Sequence, residues 1–195
     1  TLSDPATYTD VVTNNNVNGG GIYATQGIHN FTNITANGNP YGIIIFNAGD
    51  VTVDGNTTID GNVGVGIEFQ DVVKSKIEDA TISNNGSRGI SISTGMSTDF
   101  AIIDNCNLDG NVGQISASSD ELTVQNSTII GSTIFASAIS VFGDDYLIDN
   151  NTIGNAGGGN NGYGIDVTGT GIISNNSIGY NTSHGVREGS GTGDL

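Results

Sequence analysis

Two short patterns recur along this 195-residue chain and stay in phase with each other, which leaves few architectures open. One reads Gly-Ile-x-(Ile/Val/Phe), as in Gly42-Ile43-Ile44-Ile45, Gly66-Ile67-Glu68-Phe69, Gly89-Ile90-Ser91-Ile92 and Gly164-Ile165-Asp166-Val167. Variants stand at Gly21-Ile22-Tyr23-Ala24, Gln114-Ile115-Ser116-Ala117, Ala138-Ile139-Ser140-Val141 and Gly185-Val186-Arg187, so that copies follow at intervals of 21 to 26 residues. The other pattern is apolar, any, Asn, two any, apolar, as in Ile103 to Leu108, Val124 to Ile129, Ile148 to Ile153 and Ile173 to Ile178. Asp79 replaces the Asn once, and Val53 to Ile59 carries one extra residue before Asn56. Two patterns repeating in step at such a period mark a solenoid of about eight coils.

The physics selects the kind of coil. Each apolar island is two to four residues long and alternates with period two, which makes it a short strand with one inward face. Such a strand cannot bury its face alone, but stacked copies can. With no helical pattern between them, the copies are expected to stack parallel, three short strands per coil, as an all-β single-stranded parallel β-helix. Rungs about 4.8 Å apart make a rod roughly 35–40 Å long. The inward stack is Ile22, Ile43, Ile67, Ile90, Ile115, Ile139, Ile165 and Val186. Sharp corners need left-handed residues, which Gly and Asn tolerate best. Asn33, Asn56, Asp79, Asn105, Asn126, Asn150 and Asn175 are therefore expected at one corner of successive coils, as a hydrogen-bonded ladder. Asn39, Asn62, Asn85, Asn111 and Asn181 follow three residues after the last apolar position of their units.

One domain is expected over 1–195, with an irregular start at 1–10, coils over 11–187 and a tail at 188–195. Open solenoid ends expose core and unpaired backbone, so further coils, a cap or neighbouring domains are expected there, and the chain is expected to be part of a longer protein. Four Lys and Arg against 20 Asp and Glu give a formal charge of −16, which argues against nucleic acid or an anionic membrane surface as partner. No apolar run is long enough to insert in a membrane. One cysteine cannot form an internal disulfide. The acidity also suits a saline habitat, in which case screening should favour folding.

Interruptions of the repeat fall at Thr94 to Phe100, Phe142 to Tyr146 and Asn155 to Gly162, where loops can carry function. Asp144-Asp145 is either a solvated acidic turn or, with backbone carbonyls, a calcium site, and no other cofactor is expected. His29 is placed in a turn without a second metal ligand, and Cys106 as a small buried thiol rather than a nucleophile.

The Gly-Ile strand followed by an Asn-containing strand and turn resembles the right-handed parallel β-helix repeats of the pectin-lyase-like superfamily, over roughly Val11 to Arg187. Within it, the chain looks like the group that includes mannuronan C5-epimerase modules, copper-site accessory periplasmic proteins and surface or phage-tail proteins. The resemblance implies a right-handed coil and, in the polysaccharide enzymes, a substrate groove along one outer sheet face. The outward positions of the Gly-Ile strands are Tyr23, Ile44, Glu68, Ser91, Ser116, Ser140, Asp166 and Arg187. Two groups stand out near them: Tyr23, Tyr41, Glu68 and Arg88 as a ligand-binding patch, and Tyr163, Asp166, His184 and Arg187 as a catalytic set. Tyr163-Gly164-Ile165-Asp166 faintly resembles the start of an epimerase Tyr-Gly-Phe-Asp-Pro-His motif, but Val167 and Thr168 replace its Pro and His. The simpler reading of both groups is solvent-facing decoration. The serine-rich outer face of the middle coils favours a non-enzymatic extracellular, cell-surface or periplasmic rod, adhesive or contacting a polysaccharide or cell-surface glycan. The alternative is an epimerase- or lyase-like enzyme acting on polysaccharide.

Overall fold

The computed structural model describes residues 5–93, 100–133, 136–154, 156 and 159–189. The expected insertions at 94–99 and within 155–158, and the chain ends at 1–4 and 190–195, lie wholly or partly outside them. The chain winds as a right-handed parallel β-helix of three eight-stranded parallel sheets, with each coil passing through the three in the same order. The first sheet stacks Ala6–Thr9, His29–Thr32, Asp50–Asp54, Lys74–Glu78, Phe100–Asp104, Glu121–Gln125, Tyr146–Asp149 and Gly171–Ser174. The second stacks Val12–Asn14, Thr35–Asn37, Thr58–Asp60, Thr81–Ser83, Asn107–Asp109, Thr128–Ile130, Thr152–Ile153 and Ser177–Ile178. The third carries the Gly-Ile strands: Ile22–Thr25, Ile43–Phe46, Ile67–Gln70, Arg88–Ser93, Gly113–Ser118, Ile139–Phe142, Ile165–Thr168 and Val186–Glu188.

The expected inward stack is in register from Ile22 to Val186, and its Ile members from Ile43 to Ile165 are buried. β-branched side chains suit this closed pleated face, where each rung packs on the rung before. The start of the chain departs from expectation: Ala6–Thr9 is a strand paired with His29–Thr32, because Tyr8 stacks on Phe31 with ring centroids 4.7 Å apart. His29 also moves. It opens a strand, buried, with Nε2 on the Gln26 carbonyl, rather than sitting in a turn.

The corner between the first and second sheets is left-handed, as expected, at Asn33, Asp79, Asn105, Asn126, Asn150 and Asn175. Asn56 is the exception. Gly55 takes the corner (φ 68°), and Asn56 is the extra residue after it, its N–H donating to Asn33 Oδ1 over 3.1 Å. The corner residues are exposed and linked from coil to coil, for example Asn150 Nδ2 to Asn126 Oδ1 at 2.8 Å.

The asparagines just after the second pattern form a buried ladder. Asn39, Asn62, Asn85 and Asn111 are at most 1% exposed. Asn62 donates to Asn85 Oδ1 from its backbone (3.1 Å) and from Nδ2 (2.9 Å), and its Nδ2 also reaches the Ala36 carbonyl (2.9 Å). Each amide thus closes the turn between the second and third sheets from within. The recurrent glycine of the Gly-Ile pattern makes room for it: a Cβ on Gly66 would lie 2.6 Å from the Gly89 carbonyl oxygen and 2.9 Å from Asn85 Nδ2.

The ladder is interrupted where Ser132 replaces an Asn, and the pattern glycine is replaced in the same region, by Gln114. The two changes compensate. Asn111 Nδ2 donates to Gln114 Oε1, and Gln114 Nε2 donates to the Ile130 carbonyl at 2.6 Å, so a buried glutamine takes over the missing amide. Gln114→Gly alone should lower stability by about 2 kcal/mol, and adding Ser132→Asn should recover most of it. Urea unfolding of the two variants checks this.

Candidate functional site

The outer column of the third sheet runs Tyr23, Ile44, Glu68, Ser91, Ser116, Ser140, Asp166, Arg187 in register. The column is not flat. Over the fourth to eighth coils it hollows into a concavity of about 350 Å³, because its floor is made of small residues, including Gly113, Ser116, Ala136 and Ser140. Larger side chains rim that floor: Arg88, Phe142, Tyr163 and Arg187, with Asp166 beside them. A hollow of this size falls in the range of small-ligand sites.

At the carboxyl-terminal end of the hollow three members of the expected catalytic set meet. Arg187 Nε donates to Asp166 Oδ1 at 2.8 Å, with a second bond from Nη2 to Oδ2, a bidentate ion pair. Its guanidinium carbon lies 4.3 Å from the Tyr163 ring centroid, and Nη1 donates to the Tyr163 hydroxyl at 3.3 Å. The Asp166 hydrogen bond pushes the Arg187 pKa further up, so its charge is permanent. Both residues place these groups by simple strand alternation, since Asp166 and Arg187 are cross-strand neighbours. His184 stands apart from the pair. Its ring lies 5.8 Å from that of Tyr163, and its Nδ1 faces Ser183 Oγ at 3.2 Å.

The other expected patch is divided. Arg88 reaches into the hollow of the later coils, whereas Tyr23 tilts on Phe46 with centroids 5.7 Å apart. Glu68 accepts from Gln70 Nε2 at 3.3 Å, and the Tyr41 ring covers Gly64. Ile44 is covered despite its outward position. Phe142, assigned by sequence to an interrupting turn, ends a strand and is 54% exposed at the hollow. The alternation from Ile139 through Val141 was the signal for its outward side chain.

All four Lys and Arg residues line hollows. Lys74 and Lys76 flank a smaller one of about 200 Å³ on the first sheet, with Asp50, Thr52, Phe100 and Ile102. Lys76 is bound to Glu78 at 2.7 Å, which raises its pKa. Asp144 Oδ1 accepts from the backbone N–H (3.1 Å) and hydroxyl (3.2 Å) of Thr170 in the next coil, and Asp145 is a left-handed turn residue. Among the described residues, no group of three or more His, Cys, Asp or Glu could hold a metal ion. Cys106 is buried, and burial pushes its thiol up to about 12. A disulfide-exchange reagent at mildly alkaline pH should therefore modify Cys106 only after denaturation.

A family model described as right handed beta helix region matches residues 6–129. No curated protein and no solved structure matches the chain.

Proposed function

From the premise that the chain belongs to the right-handed β-helix family, whose fold alone prescribes no reaction, we propose that it is a non-enzymatic rod that holds a glycan against its third sheet. The rod works outside the cell or in the periplasm, and the hollow between Arg88 and Arg187 is its contact face. The observation that carries this is the composition of the hollow. Aromatic side chains at Phe142 and Tyr163 stand over a floor that includes Ser116 and Ser140, with the planar donors and acceptors of Arg187 and Asp166 at one end. Apolar faces between rigid hydrogen-bonding groups suit the alternating apolar and hydroxyl surfaces of a sugar ring. The exposed acids keep the rod hydrated, and Asp144 ties neighbouring coils together.

A glycan array should give binding that Phe142→Ala weakens at least tenfold without changing the unfolding midpoint. A blank array would count against the reading.

The lyase or epimerase alternative has one observation in its favour: Arg187 Nη1, bonded to the Tyr163 hydroxyl, fixes that phenol at the end of the hollow, where a tyrosine could act on a bound sugar. Against it, the same guanidinium is already neutralised by Asp166, leaving it poorly placed to hold a uronate carboxylate. Retention of any turnover in a folded Tyr163→Phe protein would remove that alternative's base.

A further inference from the structure

The two ends of the third-sheet hollow carry the same cation in different states. At one end the Arg187 guanidinium is spent on Asp166 in the bidentate ion pair, with Nη1 on the Tyr163 hydroxyl. At the other end Arg88 stands alone. The ion pairs among the described residues are Lys76–Glu78 and Arg187–Asp166, and no hydrogen bond engages the Arg88 guanidinium. Glu68, the acid one coil back on this face, accepts instead from Gln70 Nε2 at 3.3 Å. The register explains the isolation. Arg88 lies across from Gly113 in the next coil, and the pairing of Ile90 with Ile67 sets Val65 across from it in the coil before. Neither neighbour carries a charge. Arg88 Cγ would lie 3.9 Å from a Cβ placed on Gly113, so the arginine stem borders the floor of the hollow and leaves its head free.

In a chain of formal charge −16, a guanidinium without a partner attracts an anion that the rest of the surface repels. Its planar fork matches the two oxygens of a carboxylate, the geometry that Arg187 already displays with Asp166. The opposite end disfavours a second acid. A ligand carboxylate there would meet the carboxylate of Asp166, and the cation beside it is already engaged. Arg88 and Tyr163 occupy one column three coils apart, roughly 14 Å, a length that takes about three sugar residues laid along the rod. Between them the floor offers hydroxyls and backbone rather than charge, at Gly113, Ser116 and Ser140.

Resting on the glycan-binding reading, we infer that the ligand is a short oligosaccharide, neutral apart from one carboxylate at one end, and that Arg88 selects it and fixes its direction along the rod. A chain made of acidic sugars alone fits poorly, because only one of its carboxylates meets a free cation on this face.

The test is an array printed with neutral trisaccharides, the same trisaccharides carrying one terminal hexuronate, and trisaccharides of hexuronate alone. Apparent Kd values are read for wild type, Arg88→Gln and Phe142→Ala, with thermal melts confirming that each is folded. Wild type is expected to bind an acid-terminated member about tenfold more tightly than its neutral counterpart, and more tightly than the all-uronate chains. Arg88→Gln should bring the acidic and neutral members level, whereas Phe142→Ala should weaken both and keep their ratio. Equal binding of the two by wild type, a preference for all-uronate chains, or a preference for acid that survives in Arg88→Gln would each overturn the inference and leave the glycan-binding reading standing. A blank array would overturn that reading, and the inference with it.

Discussion

Ile90→Asp should prevent the chain from completing its fold. Ile90 is fully buried at mid-stack, between Ile67 and Ile115 in the third sheet. An aspartate there has no cation within the column and no route to water, so it must be buried charged or protonated at a cost. Because each coil rests only on its neighbours, a defect in the fourth coil undermines the third and fifth as well. The expected loss is comparable with the whole stability of a domain, ~5–15 kcal/mol. It should appear as insoluble expression or as a chain lacking the strand signal in far-ultraviolet circular dichroism. Ser91→Lys, one residue along but outward and opposite Glu68, should leave the unfolding midpoint nearly unchanged. Equal effects of the two substitutions would contradict the assignment of faces.

Asn85→Ala should be the most costly change that removes no apolar group. Its Oδ1 accepts from Asn62 N (3.1 Å) and Nδ2 (2.9 Å), and its Nδ2 donates to Asn111 Oδ1 (2.8 Å) and the Ile59 carbonyl (3.3 Å). Truncation removes all four of these buried hydrogen bonds and leaves the Asn62 backbone N–H without its acceptor, which sums to about 3–5 kcal/mol. Asn105→Gly, at the exposed corner where φ is 49°, should change stability by no more than ~0.5 kcal/mol, because glycine accepts that conformation freely. Urea unfolding midpoints of the two variants separate a ladder that supports the turn from one that decorates it.

That pair also marks what could be read from sequence alone. The strands and inward column follow from period-two alternation at a fixed spacing, and every member from Ile22 to Val186 falls in register. The distinction between the two asparagine series does not. Both follow apolar residues in the second pattern or just after it, and only the path of the chain decides which amide points inward. Gly55 and Asn56 exchange roles for the same reason, since one extra residue moves the left-handed corner back by one place. Gln114 could have been inferred from sequence, because its break in the glycine pattern coincides with the lost asparagine at Ser132.

At the site, alternation located the outward residues, including Asp166 and Arg187. It could not show that the two would neutralise each other, nor that Arg88 would extend toward later coils and separate from Glu68. Side-chain reach across rungs is not encoded in the pattern. Phe142 was hidden by its neighbours Gly143 and Asp144, which look like a turn and obscure the end of a strand.

Whether the third-sheet hollow holds a glycan without transforming it can be decided in one sample. The protein is titrated with an array-identified oligosaccharide by calorimetry, and the same sample is analysed by mass spectrometry and proton NMR after prolonged incubation, with and without calcium. Saturable binding is expected, weakened at least tenfold by Phe142→Ala, with an oligosaccharide recovered unchanged in mass and stereochemistry. Binding unaffected by Phe142→Ala, or recovery of cleaved, unsaturated or epimerised sugar, would contradict it.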